Sequence, residues 1–86
     1  MNMNYKQIER WKKERDEAIK SLDVGKFKKF YYKWMEKGIY ERDLPSDDIV
    51  EITIYKMLYN IKSATEEEKE VAKKWLEARG YSTELT

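Results

Sequence analysis

The sequence predicts an all-α domain, a small bundle of four helices. Three observations carry that expectation. Apolar residues recur at helical spacing in four separate stretches. Each stretch is bracketed by residues that start or stop helices. Gly and Pro, the usual punctuation of hairpin-rich sheets, number only three and one among 86 residues. The length suits a single domain, assigned to residues 1–81, with residues 82–86 as a flexible tail.

Helix 1 is expected over about residues 5–22. Asn4 is a good N-cap, and Gln7 stands where the partner of a capping box belongs. Its apolar stripe is Ile8, Trp11, Ala18, Ile19 and Leu22, within an arc of about 100°. Arg15 falls inside that arc. Either its stem packs while the guanidinium reaches water, or it joins a buried ion pair or ligand contact. Helix 2 follows over about 24–37, with Asp23 as N-cap. Gly25 is a poor end for helix 1, because Lys26 would then stand where a Schellman cap wants an apolar residue. Gly38 is a better stop, since Ile39 can then touch Trp34.

Pro45 holds Leu44 extended and marks a boundary. Helix 3 is expected over about 47–62, with Ser46 as N-cap and Asp47 and Asp48 in the first turn, where negative charge suits the dipole. Residues 49–55 are rich in β-branched side chains and compete as a strand. The recurrence of Val50, Ile54, Met57, Leu58 and Ile61 at helical spacing decides for helix. Thr65 and Glu68 make a capping box for helix 4, expected over about 66–79. Its stripe is Val71, Ala72, Trp75 and Leu76, and Gly80 with Tyr81 repeats the helix 2 ending. The expected core is Ile8, Trp11, Ile19, Leu22, Phe27, Tyr31, Trp34, Val50, Ile54, Met57, Leu58, Ile61, Val71, Trp75 and Leu76, with helix 3 at the centre.

Composition narrows the function. There is no Cys and no His, which removes disulfides, thiolate nucleophiles, sulfur-ligated zinc and the commonest general base. The three glycines are scattered, so no phosphate-cradling loop exists. Asp43, Asp47 and Asp48 lack calcium-loop spacing and read as turn and cap residues. The expectation is a non-enzymatic protein without metal or other cofactor, and nothing points to a small-molecule substrate. Mean hydropathy is −0.97, yet 14% of residues are aromatic, enough to build a core. No apolar run is long enough to span a membrane and the first residues lack an apolar leader region, so a cytoplasmic location is expected.

Two surfaces stand out. Helix 3 carries a second stripe, Ile52, Tyr55 and Tyr59. A helix apolar on two sides is either wrapped by its neighbours or keeps one side for a partner. Tyrosine suits an interface, because its ring is apolar and its hydroxyl needs water or an acceptor. Tyr32 and Tyr40 are candidates to extend that surface. The expected partner is another protein or a second copy of the chain. The alternative is nucleic acid, held by Lys26, Lys29, Lys33 and Lys37 with Tyr32, and with Lys12 and Lys13 nearby. Against it, the lysines and the aromatics Phe27, Phe30, Tyr31 and Trp34 segregate to opposite faces, as in an ordinary amphipathic helix. The net charge is only +1. Residues 1–44 carry +4 and residues 45–86 carry −3, so the halves can offset each other inside the bundle or make the molecule dipolar.

The run Leu44 to Glu51, then Lys56 to Tyr59, Glu66 to Lys69, Trp75, Leu76, Gly80 and Tyr81, together with Phe27, Phe30, Tyr31, Lys33 and Trp34, resembles small uncharacterised helical proteins of Firmicutes prophages and mobile elements. The resemblance covers roughly residues 20–81. It implies a phage or mobile-element accessory protein that acts by binding a host or phage protein, and it transfers no functional residues.

Overall fold

Side-chain and backbone hydrogen bonds at the helix ends set the element boundaries. Asn4 Oδ1 accepts the Gln7 N–H at 2.8 Å, and Gln7 Oε1 accepts the Asn4 N–H at 3.3 Å. Thr65 Oγ1 accepts the Glu68 N–H at 3.1 Å, and Glu68 Oε1 accepts the Thr65 N–H at 2.9 Å. Both capping boxes therefore satisfy two otherwise orphaned donors each. Asp23 Oδ1 accepts the Lys26 N–H at 2.9 Å. A computed structural model describes residues 4–85, and its helices are α1 (Tyr5–Lys20), α2 (Val24–Glu36), α3 (Asp47–Asn60) and α4 (Glu66–Ala78), of which these caps open α1, α2 and α4. No strand occurs among the described residues, and residues 49–55 lie within α3.

The two glycine stops are Schellman caps. Gly38 has φ +87°, its N–H donates to Met35 O at 3.0 Å, and the Ile39 N–H donates to Trp34 O at 3.0 Å. Gly80 has φ +78°, and the Tyr81 N–H donates to Leu76 O at 2.9 Å. Glycine adopts those left-handed angles at little cost, whereas most other residues are strained there.

Three details depart from expectation. Ser46 holds the N-cap position of α3, but its side chain makes no cap bond. The start of α3 rests instead on Asp47 and Asp48 in its first turn, where their charge suits the helix dipole. Helix α1 stops at Lys20 rather than Leu22. The Ser21 hydroxyl donates to Ala18 O at 2.6 Å and accepts the Asp23 N–H at 3.2 Å, which turns the chain early. Leu22 then takes φ +55°, a left-handed angle that costs a branched residue roughly 1–2 kcal/mol. Its side chain packs against the core, and that contact holds it there. Helix α3 likewise ends two residues early, because Ile61 is extended.

The core forms around α3, which packs against each of the other three helices, while α4 packs chiefly on α3. Val50, Ile54 and Leu58, spaced four residues apart, are sealed from water along one side of α3. They meet Ala18 and Ile19 of α1, Phe27, Phe30 and Trp34 of α2, and Ala72 of α4, with Leu76 equally buried. Ile8, Trp11, Leu22, Tyr31, Met57, Ile61 and Trp75 are half-buried at the margins. Val71 is not core: it is 51% exposed. The α4 stripe is narrower than its sequence implies: Ala72 and Leu76 are sealed, Trp75 is half-buried and Val71 stands on the shoulder.

Ion pairs join the two halves of the sequence. Lys28 Nζ lies 3.0 Å from Asp47 Oδ1, and Lys20 Nζ lies 3.5 Å from Glu68 Oε1. Lys20 also donates to Ser63 O at 2.8 Å, tying the end of α1 to the α3–α4 turn. Arg15 packs over Trp11 at 5.1 Å and pairs with Asp16 at 3.0 Å, both partly solvated. Asp16 Oδ2 in turn accepts the Ser63 hydroxyl at 2.8 Å. The Arg15 guanidinium is thus held by Trp11 and Asp16 of its own helix while staying partly solvated. The tail runs beside α3: Thr83 O accepts the Asn60 amide at 2.8 Å, and Leu85 shares a groove with Lys12, Arg15 and Ile61. Residues 1–3 and Thr86 lie outside the described residues.

The register of α4 is testable. Leu76→Ala should lower unfolding free energy by about 2–5 kcal/mol. Val71→Ala should change it by less than about 0.5 kcal/mol. Urea denaturation followed by circular dichroism measures both, and equal losses would refute the narrow stripe.

Candidate functional site

The second stripe of α3 lies beside α4. Tyr55 stacks face to face on Trp75, with ring centroids 3.9 Å apart and planes within 3°. The Arg79 guanidinium carbon stands 4.1 Å from the Trp75 centroid, and Arg79 Nη1 donates to Trp75 O at 3.1 Å. The i, i+4 spacing of Trp75 and Arg79 on α4 dictates this contact. Ile52, Asp48, Glu51 and Tyr81 share a shallow depression of about 220 Å³ with Trp75 and Arg79. Ile52, Tyr55 and Tyr59 are each half-buried. Burial first, then the nearby Glu51 charge, pushes the Tyr55 hydroxyl above its ordinary pKa. Among the described residues, that hydroxyl has no hydrogen-bond partner and is not a sealed orphan, so its edge reaches water.

The sequence placed Ile52, Tyr55 and Tyr59 on one side of α3 and missed their neighbours on α4. Trp75 was assigned to the core and Tyr81 to a cap contact. Arg79 carried a usable signal, a cation one turn beyond a tryptophan. Tyr81 is 41% exposed and Ile49 is 51% exposed.

Tyr32 and Tyr40 do not extend this surface. Tyr32 lies on α2 and Tyr40 in the α2–α3 connection, where Tyr40 lines the opposite flank of α3 with Val50, Thr53 and Met57. Tyr40 stacks on Tyr31 at 4.1 Å, and its hydroxyl accepts the Trp11 indole N–H at 3.0 Å. Burial raises the Tyr40 pKa above its ordinary value. The Tyr31 hydroxyl donates to Arg42 O. The Tyr32 hydroxyl donates to Asp43 Oδ1 at 2.6 Å, which also accepts the Leu44 N–H at 2.8 Å. The Tyr32 bond raises the tyrosine pKa and lowers that of Asp43. Asp43 and Asp47 thus serve the fold, and among the described residues no group of three or more metal-ligating side chains converges.

The lysines of α2 carry their own counter-charge. Lys26, Lys29 and Lys33 line a cleft with Glu14 and Glu17 of α1. Lys33 Nζ lies 2.8 Å from Glu14 Oε1, which also accepts the Trp34 indole N–H at 3.2 Å. Lys33 and Lys37 both rest over the Trp34 ring at 5.6 Å. Lys12 lines a separate groove beside Arg15 and Lys62, while Lys13 is exposed.

No protein-family model matches the chain, and no curated protein or solved structure matches it.

Partial burial alone would raise the Glu14 pKa, but hydrogen bonds from Lys33 and Trp34 and the charges of Lys33 and Arg10 outweigh it and hold the carboxyl below its ordinary value. A depressed carboxylate adds stability above its unfolded pKa and loses it as pH falls through the folded one. Glu14→Gln should therefore destabilise the fold at pH 7, and the gap from the natural protein should close as pH falls below about 4. Urea midpoints between pH 7 and pH 3 check this; a gap independent of pH would show that the charge contributes nothing.

Proposed function

We propose that this chain is a small non-enzymatic interaction module that docks on a protein partner, or on a second copy of itself, through the α3–α4 face bearing Ile52, Tyr55 and Tyr59. The Tyr55–Trp75–Arg79 tier supports this reading best. It gathers Tyr, Trp and Arg, the residue types that dominate binding hot spots, at a partly open site on two helices. Trp75, Arg79 and Tyr81 join the sequence-derived trio as contact residues. A helix-borne platform of stacked rings is stiff, so little ordering entropy is lost when a partner arrives. The resemblance to prophage and mobile-element proteins agrees with a cytoplasmic accessory role of this kind.

Nucleic-acid binding by the α2 lysines has weaker support. Glu14 pairs with Lys33, Glu17 lines the same cleft as Lys26 and Lys29, and Tyr32, the one aromatic candidate of that face, is engaged with Asp43. A strand of phosphates would have to displace those contacts before counterion release could favour it.

Tyr55→Ala is a poor probe, because it also unstacks Trp75. Ile52→Glu and Tyr59→Ala leave that stack in place. In light scattering from low micromolar to millimolar protein, a self-associating chain should become monomeric with either variant while keeping its helical circular dichroism. A hetero-partner should be reported by a photo-crosslinker placed at Tyr59 in cells, giving one discrete adduct absent when the crosslinker sits at Lys13. A monomer at every concentration that yields no adduct at Tyr59 would overturn the proposal.

A further inference from the structure

On the opposite flank of α3, the α2–α3 connection folds over a cleft of about 200 Å³ lined by Phe27, Tyr31, Tyr40, Leu44, Pro45, Val50, Thr53 and Met57. Its wall is almost wholly carbon. The few polar side-chain atoms its lining residues bring are hydroxyls, each with one bond inside the protein. The Tyr31 hydroxyl donates to Arg42 O, the Tyr40 hydroxyl accepts from Trp11, and the Thr53 hydroxyl donates to Ile49 O at 2.9 Å. No titratable carboxyl, amine or guanidinium lines it. Its walls are also fixed. Tyr31 and Tyr40 are stacked, Phe27 lies 5.8 Å from Phe30, and the Gly38 cap sets where the connection leaves α2.

From this we infer that the cleft is a binding site for an uncharged, apolar small molecule of about one ring, unrelated to the α3–α4 docking face. The volume sets the size, since a dry cavity of roughly 150 Å³ lined by aliphatic and aromatic side chains is known to admit a benzene ring. The lining sets the chemistry: against a wall that is almost wholly carbon and has no charged side chain, a polar or charged ligand would lose its hydration for little return. A peptide is the competing occupant, and it would need partners for its own N–H and C=O groups at a rim where Leu44 N–H and the Tyr32 hydroxyl are held by Asp43, and Lys28 by Asp47.

The test uses the natural protein and toluene as probe. In ¹H–¹⁵N and methyl NMR spectra, titration should move the signals of Leu44, Val50, Thr53 and Met57 in a saturable way and leave Ile52 and Tyr59 in place. At ten times its dissociation constant, toluene should raise Tm by about 5–10 °C. Thr53→Met, which extends a side chain into the cleft from α3, should keep the fold and weaken toluene at least about ten-fold. Absence of saturable shifts in the natural protein, shifts centred on Ile52 and Tyr59, or undiminished binding by Thr53→Met would each overturn the assignment. Tighter binding of acetyl-phenylalanine amide than of toluene would also overturn it, by giving the cleft to a peptide side chain. The monomer suffices for this measurement, so its failure leaves the docking proposal standing, and the reverse holds too.

Discussion

Everything in this fold follows from the need to cover α3. Its fourteen residues carry apolar side chains on two sides, and no single neighbour can hide both. Val50, Ile54 and Leu58 form the sealed side, where α1 and α2 converge with α4. Each such side chain contributes about 1.5–3 kcal/mol when fully withdrawn from water. In a domain this small, which buries only a modest share of its surface, those few residues weigh heavily in the balance against chain entropy. The other side of α3 meets only α4 and is covered only in part. The asymmetry between the sealed and the half-covered side is what separates scaffold from surface here.

The chain is 41% charged, yet it builds this core by laying cations over rings. Arg15 covers Trp11, Lys33 and Lys37 cover Trp34, and Arg79 covers Trp75. Each charged head stays near water while its stem shields an indole, so a hydrophilic sequence gains apolar burial without spending hydrophobic residues on the outer shell. Asp16 on the same helix and Glu14 across elements then place Arg15 and Lys33 by pairing with them, so these weak, partly solvated ion pairs give orientation rather than bulk stability.

Helix ends were legible in the sequence because they are decided within a few residues. The Asn4 and Thr65 boxes and the Gly38 and Gly80 stops all rest on contacts no more than five residues apart. Side-chain partners across elements were not legible. Val71 and Trp75 look equally apolar on a helical projection, yet one is exposed and the other half-buried against Tyr55 of the neighbouring helix. Tyr40 reads as a surface aromatic until Trp11, twenty-nine residues earlier, supplies its hydrogen bond. Leu22 in a left-handed turn runs against local preference, and only its packing against the core explains it. The docking trio was visible as a stripe, whereas the Trp75–Arg79 half of the site needed the antiparallel pairing of α3 and α4.

That pairing also explains why the half-covered side of α3 suits recognition. A fully exposed apolar stripe would drive indiscriminate association, and a fully buried one would offer nothing. Stacking Tyr55 on Trp75 hides two ring faces and leaves a hydroxyl and a guanidinium at the rim. Under the proposed docking, a partner must satisfy those groups as well as cover Ile52 and Tyr59, and one that left them dry and unpaired would be rejected. The same helix thus holds the bundle together along one side and, along the other, keeps apolar rings beside polar edges, which is the feature the docking proposal rests on.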